Sequence, residues 1–469
     1  MSEKSIPREQ AALVRRAKNE PSEPRDLAGA CSGGQFVMSR VGGAYNARDR
    51  GPNRKFRSRS IVTILAIVWI MLAATGALCW TAATVQSATP IPSTLFGMTL
   101  INKNDWPQVS VGALGKGTVV NWPYTEQQKG VFNWTNLDAW VNLASSHGVS
   151  FFFSNDLIPP WAAADQRSCG PTYTGSSVTG CTSMVANIQD WDDFVTALAT
   201  RYKGKMIYEL WNEPNAKTFT GTVAEMVTLT TNEYNIIRSI DPGALILSPS
   251  PAYVSANPAA YLDQYFTAGG PTGVDVITFH GYWPDPEHVT RTVSQIQTIM
   301  SKYNLSSKPL WDTEGAWSGN LAAQQQGGFV ARYYLLQWST GVSRFYWYAW
   351  DNPSYGTMWD AATGPHPDAT AYQQVYNWMV GATMSSPCTM SSDSTWTCTL
   401  TRPGGYRALA VWNSATTTSY TPGSQYRQYL DLAGGTNPVN GSVTVGYNPI
   451  LLVSSTPPAP PTNVGITVN

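Results

Sequence analysis

Between about Leu95 and Val380 the chain repeats one pattern, a short apolar run followed by an amphipathic stretch, and this repeat limits the fold more than any other feature. The apolar runs read LFGMTLI (95 to 101), GTVVNW (117 to 122), VSFFFSN (149 to 155), KMIYELWNE (205 to 213), ALILSPS (244 to 250), VDVITFHGYW (274 to 283), KPLWDTEG (308 to 315) and VSRFYWYAW (342 to 350). Runs of this length, apolar on both faces, are the pattern of strands in a parallel sheet covered by helices. The stretches between them carry helical spacing: Leu137, Trp140, Val141 and Ala144 in one, Trp191, Phe194, Val195, Leu198 and Tyr202 in another. Eight such alternations predict an α/β fold, a (β/α)8 TIM barrel over 93 to 384. The competing architecture, an open doubly wound sheet, calls for a glycine-rich phosphate loop after a strand, and none follows any of the eight.

After Ser385 the helical period disappears. Thr, Ser, Gly and Tyr dominate, with strand-length alternation in YRALAVWN (406 to 413) and YRQYLDL (426 to 432), which predicts a small antiparallel β-sandwich domain over 385 to 455. Residues 456 to 469 read as a Pro-rich tail. Only 13% of the residues are charged and 12% are aromatic, including 19 Trp. A disordered chain is rich in charge and poor in rings, so disorder is excluded for most of the length.

Charge is distributed unevenly. Residues 1 to 60 hold 13 Lys and Arg against six Asp and Glu, and the remainder is net −7. A mildly acidic body without a basic cluster argues against a nucleic-acid partner. Residues 1 to 60 read as a disordered basic cytoplasmic tail. The uncharged stretch 61 to 80, IVTILAIVWIMLAATGALCW, directly follows Arg54, Lys55, Arg57 and Arg59. About 20 apolar residues span a bilayer, and flanking cations stay on the cytoplasmic side. The segment is therefore expected to act as a signal-anchor or transmembrane helix, or as a cleaved signal, and to export the body, secreted or membrane-anchored. Oxidising surroundings then make the body's four cysteines legible as two disulfides, Cys169 with Cys181 and Cys388 with Cys398. A zinc site is disfavoured because no His neighbours either pair, and no metal or organic cofactor is expected. Oligomeric state leaves no mark in the sequence.

In a barrel the chemistry sits at the carboxyl-terminal ends of the strands. The fourth strand ends in Trp211-Asn212-Glu213-Pro214-Asn215 and the seventh in Asp312-Thr313-Glu314-Gly315. Strands four and seven face each other across the mouth, so Glu213 and Glu314 can meet over a bound ligand. Glycosidic cleavage needs such a pair, one carboxyl protonated to donate to the leaving oxygen and one ionised at the anomeric carbon. Repulsion between the two helps to keep one proton in place. Asn212 is placed to hold a sugar hydroxyl, and Pro214 fixes the turn. Trp350, at the end of strand eight, is expected to floor the sugar site, and Asn121 and Trp122 are read as closing strand two beside it. Glu209 is expected to be a buried structural carboxylate, and Asp312 to share a face with Glu314 one layer deeper.

At these residues the sequence resembles the glycoside hydrolases of clan A, and most closely the glycoside hydrolase family 39 type. The resemblance rests on YELWNEPN (208 to 215), WDTEGAW (311 to 317), FHGYW (279 to 283) and QQKGVFNWTNLDAWV (127 to 141), and it extends over about 93 to 455. It implies that Glu213 is the acid/base and Glu314 the nucleophile of a retaining double displacement, with carboxyls about 5–5.5 Å apart. It further implies that Tyr282 hydrogen-bonds the nucleophile and that His280 lines the sugar site. Many relatives place an Arg in strand two, where this chain has none. The substrate expected is a polysaccharide or oligosaccharide; the other readings are a non-catalytic carbohydrate-binding surface protein on the same scaffold and an exported adhesive protein.

Overall fold

The computed structural model describes residues 89–172, 176–253, 257–352, 354 and 356–454. The expected tail of 1 to 60, the apolar segment 61 to 80 and the Pro-rich tail 456 to 469 lie outside the described residues. Among the described residues no helix is long and apolar enough to cross a membrane.

Eight parallel strands build the barrel: β1 Phe96–Met98, β2 Ala113–Leu114, β3 Ser150–Ser154, β4 Ile207–Glu209, β5 Ile246–Leu247, β6 Ile277–Trp283, β7 Leu310–Trp317 and β8 Val342–Trp347. They pair in the order β5-β4-β3-β2-β1-β8-β7-β6. Single parallel bridges, Leu247 to Val276 and Ala252 to His280, join β5 to β6 and close the ring. The helices that return the chain between strands include α1 Thr135–Ser146, α2 Ile188–Arg201, α3 Val223–Ile240, α4 Pro258–Thr267, α5 His288–Lys302, α6 Ala323–Thr340 and α7 Pro367–Met379. Thr222 caps α3 with a reciprocal bond to Glu225, which satisfies two of the helix's orphan donors.

Because side chains alternate along a strand, one set fills the barrel and the other meets the helices. Ala113, Phe152, Ile207, Leu247, Val276, Trp311 and Tyr346 form a separate buried cluster, one residue from each of β2, β3, β4, β5, β7 and β8 plus Val276 just before β6, and this is the barrel's interior layer. Arg344 lies over the Trp311 ring at 4.0 Å. Above this layer Glu209 is buried and takes hydrogen bonds from Ser250 Oγ (2.9 Å) and Thr313 Oγ1 (2.6 Å), the structural carboxylate expected there.

Two expectations are corrected. The second strand is Ala113–Leu114 and not 117 to 122, which forms a loop and a helical turn, Trp122–Thr125. Gly115 and Gly117 leave no room for side chains against Thr99 and Trp140, and the loop begins there. Asp312 does not share a face with Glu314. Phe279 pairs with Asp312 but His280 pairs with Glu314, so Thr313 is an extra residue in β7. This bulge turns Asp312 outward, against Tyr333 and Gln337 of α6, and leaves Glu314 facing the mouth.

The antiparallel domain that follows contains β9 Thr389–Met390, β10 Thr395–Arg402, β11 Tyr406–Asn413, β12 Thr418–Tyr420, β13 Gln428–Leu430, β14 Thr436–Pro438, β15 Val443–Val445 and β16 Ile450–Val453. Six strands pair in the order β9-β10-β11-β16-β13-β14, and β12 pairs with β15. Both disulfides form, Cys169–Cys181 and Cys388–Cys398. The first cross-links a short hairpin between β3 and α2, and the second ties the start of the sandwich to β10.

Candidate active site

Glu213 follows β4 with a positive φ of 49°. A non-glycine residue in that region is strained by of order 1–3 kcal/mol and stays there only when its neighbours hold it. They do: Glu213 N donates to Ser250 O at 3.0 Å, and the Thr218 hydroxyl lies 2.9 Å from Asn212 O and 2.8 Å from Glu213 O. Asn215 exchanges two bonds with the Ala252 backbone, Nδ2 to O at 2.7 Å and N to Oδ1 at 2.8 Å, so the turn is fastened to the segment after β5.

The Glu213 carboxyl meets His280, with Oε1 2.9 Å from Nδ1. His280 is fully buried, and its Nε2 finds no protein partner among the described residues. Burial lowers its basicity, but the charge of Glu314 and the bond to Glu213 outweigh burial and leave its pKa raised. Glu314 stands opposite. Tyr282 donates to its Oε1 at 2.6 Å, and the Lys116 ammonium lies 2.8 Å from its Oε2. Burial favours the neutral acid, yet the charges of Lys116 and then His280, with the bonds from Lys116 and Tyr282, hold the Glu314 carboxyl below the ordinary value. Glu213, His280 and Glu314 bring one donor atom each within 4.8 Å of one another. That trio could in principle grip a cation, but Lys116 already supplies the positive charge at Glu314.

Lys116 is the residue that sequence reasoning missed. It follows β2 directly and also donates to Asn212 Oδ1 at 2.6 Å, so one ammonium orients both the amide and the carboxylate. Burial works against its charge, but Glu314, Asp156 and Glu213 more than reverse this and raise its pKa. The signal was the cation itself: with β2 read as starting at 117, four residues late, Lys116 fell before the strand and not after its end.

Of the expected site residues, Asn212, Glu213, His280, Tyr282 and Glu314 are brought together. Asn121, Trp122 and Trp350 are not offered to a ligand. Asn121 is buried and spends its Nδ2 on Asp156. Trp122 is fully enclosed, packed on Phe194 and bonded through Nε1 to Glu126 Oε2 at 2.7 Å. Trp350 is 1% exposed, too little to present a face to a sugar. The half-buried ring near the carboxyls at the end of β8 is Tyr348, edge-on to Tyr282 at 6.3 Å between centroids. Burial and then the charges of Glu314 and Glu213 push its phenol pKa up, as expected of a ring at the mouth.

Residues 164–353, a stretch that includes both carboxyls, match the sequence model of the cellulase family, glycosyl hydrolase family 5. No curated protein matches this sequence. Among solved structures the chain is similar to a GH39 β-xylosidase from Caulobacter crescentus, with TM-score 0.55, 14% identity, and 78% of this chain and 97% of that chain covered. It is also similar to the catalytic domain of GH30 xylanase C from Talaromyces cellulolyticus, with TM-score 0.50, 16% identity, and 77% and 98% covered. At these identities the structural likeness concerns the fold. The barrel and the family match over 164–353 support a glycoside hydrolase domain of clan A. It is a glycosidase.

Proposed function

We propose that the protein is an exported retaining glycosidase of the family 39 type, cleaving O-glycosidic bonds of a polysaccharide or of oligosaccharides derived from it. The observation that carries this reading is the spacing and asymmetry of the carboxyl pair. Oxygens of Glu213 and Glu314 approach within 4.8 Å, which suits the roughly 5–5.5 Å of direct attack and falls short of the roughly 6.5–9.5 Å that an inverting enzyme needs to seat a water.

Glu314, kept ionised by Lys116 and oriented by Tyr282, is the nucleophile. Glu213, paired with His280, is the acid/base. In the first step Glu314 attacks the anomeric carbon while Glu213 gives its proton to the leaving oxygen; in the second, Glu213 takes a proton from water as that water displaces Glu314. Asn212, its amide oxygen held by Lys116, is available to donate to a sugar hydroxyl beside the reacting carbon. The two disulfides support an oxidising compartment.

Reducing sugar released from a panel of hemicelluloses and bacterial exopolysaccharides, wild type against Glu314→Ala, tests the activity, with loss in the variant expected. A fluorinated glycosyl inhibitor tests the roles. An adduct mapped to Glu314 is expected, and one on another residue overturns the assignment.

A further inference from the structure

Behind the strand that carries His280 and Tyr282 lies an acid for which the reaction has no use. Asp312 is fully buried on the outer side of β7. Its Oδ1 accepts from Gly281 N at 3.1 Å. Its Oδ2 lies 2.9 Å from the Tyr333 phenol oxygen and accepts from Gln337 Nε2. The same phenol oxygen lies 2.8 Å from Gly281 O.

The count of hydrogens decides the state of this group. Gly281 O, Tyr333 Oη and Asp312 Oδ2 form a chain of oxygens with two contacts inside hydrogen-bond range, and each contact needs a hydrogen between its atoms. Tyr333 brings one hydrogen, and a carbonyl brings none. With Asp312 ionised, one contact would press lone pair against lone pair in a buried site. With Asp312 neutral, its proton goes to Tyr333 Oη and the phenol hydrogen goes to Gly281 O, so that both contacts are satisfied.

We infer that Asp312 is a neutral carboxylic acid in the working enzyme and a positioning residue that, with Tyr333, clamps Gly281 and so sets His280 and Tyr282 against the two carboxyls. Gly281 lies between those residues, and a Cβ there would collide with Tyr333 Oη and Asp312 Oδ2, so the clamp grips bare backbone. The titratable groups facing Asp312 are His280 from β6 and Tyr333 from α6, with Tyr334 beside it. Burial raises the Asp312 pKa to about 7, against the bonds from Tyr333, Gln337 and Gly281 N and the charge of His280. Burial and then Asp312 raise the Tyr333 phenol well above its ordinary value, so its hydrogen stays in place.

The test compares the full chain with Asp312→Asn, which keeps one acceptor and one donor in the same shape, and with Asp312→Ala. In infrared spectra at about pH 6, wild type minus Asp312→Asn should show the carbonyl stretch of a protonated acid, fading as pH rises through about 7. Hydrogen exchange over residues 277 to 283, taken relative to the intrinsic base-catalysed rate, should quicken above about pH 8 in wild type and not in Asp312→Asn. On 4-nitrophenyl β-xyloside, an arm that rests on the glycosidase reading, Asp312→Asn should show a shallower alkaline fall than wild type, the limb of the general acid remaining in both. Asp312→Ala should lose about a hundredfold in kcat/KM throughout. No acid band in the difference spectrum, or the same rise of exchange with pH in wild type and Asp312→Asn, overturns the inference. If the xyloside is not cleaved, another substrate is needed for the glycosidase reading, while spectrum and exchange still decide for or against the clamp.

Discussion

At the scale of single residues the site is governed by one ammonium. Lys116 touches both Asn212 and Glu314, and it lowers the Glu314 pKa against the burial that raises it. Lys116→Met should therefore move the low-pH limb of kcat/KM to higher pH, because a carboxyl deprived of its cation ionises later. The same change should reduce kcat/KM at neutral pH by about 10²–10³-fold, the usual effect of losing one preorganised electrostatic partner. Lys116→Arg should restore much of the rate and the position of the limb, since the charge is what matters at Oε2. A pH–rate profile of the three proteins checks both. Tyr348 and Trp350 separate in the same way. Tyr348→Ala should raise KM about tenfold with little effect on the melting temperature. Trp350→Phe should leave KM alone and cost about 1–3 kcal/mol of stability, because that ring is enclosed in the core.

The element that carries the acid/base is a strained turn held from two sides. Glu213 sits at positive φ, Thr218 bonds the carbonyls of Asn212 and Glu213, and Asn215 fastens the turn to Ala252, which itself bridges to His280. Thr218→Val removes the hydroxyl and keeps the shape. Its expected result is a fall of about tenfold in kcat, an unchanged KM and about 1 kcal/mol less stability, with Thr218→Ser recovering the rate. Steady-state kinetics beside thermal unfolding distinguishes this from simple destabilisation, which would lower the melting temperature while leaving kcat intact. The bulge at Thr313 works by the same logic in β7: one added residue sends Asp312 to the helix side and Glu314 to the mouth.

Across the whole molecule, barrel and sandwich meet around an ion pair of which Arg332 is buried and Glu287 half-buried. Glu287, just before α5, receives bonds from Arg332 of α6 and from Trp412 Nε1 of β11 at 3.0 Å, and the Arg332 guanidinium lies 4.1 Å over the Tyr447 ring. Glu287→Ala leaves Arg332 buried without its carboxylate, and an unfolding free energy lower by about 3–5 kcal/mol is expected from denaturant titration. Stability should also depend on pH in a stated direction. Asp312 and Asp368 are buried with pKa values raised to about 7, burial being the main cause for each. The folded state then binds more protons than the unfolded one, so the stabilisation these groups confer is complete below their unfolded pKa and is lost as pH rises through about 7. Thermal midpoints measured between about pH 5 and pH 8 should fall, and Asp312→Asn should flatten part of the slope.

What the sequence determined by itself was the periodic plan: strand-length apolar runs alternating with helical spacing, glutamates at the ends of the fourth and seventh, and two close cysteine pairs. Those are local signals, written in period, spacing and residue type, and they require no knowledge of neighbours. The tertiary structure decided what depends on register and on which face a side chain leaves. The shift of β2 to Ala113–Leu114 delivered Lys116 to the carboxyls, the extra residue Thr313 turned Asp312 away from Glu314, and the path after β8 buried Trp350 and left Tyr348 beside the site. One residue of slip reverses inside and outside along a strand, and a single sequence holds no measure of that slip until the eight strands close on one another.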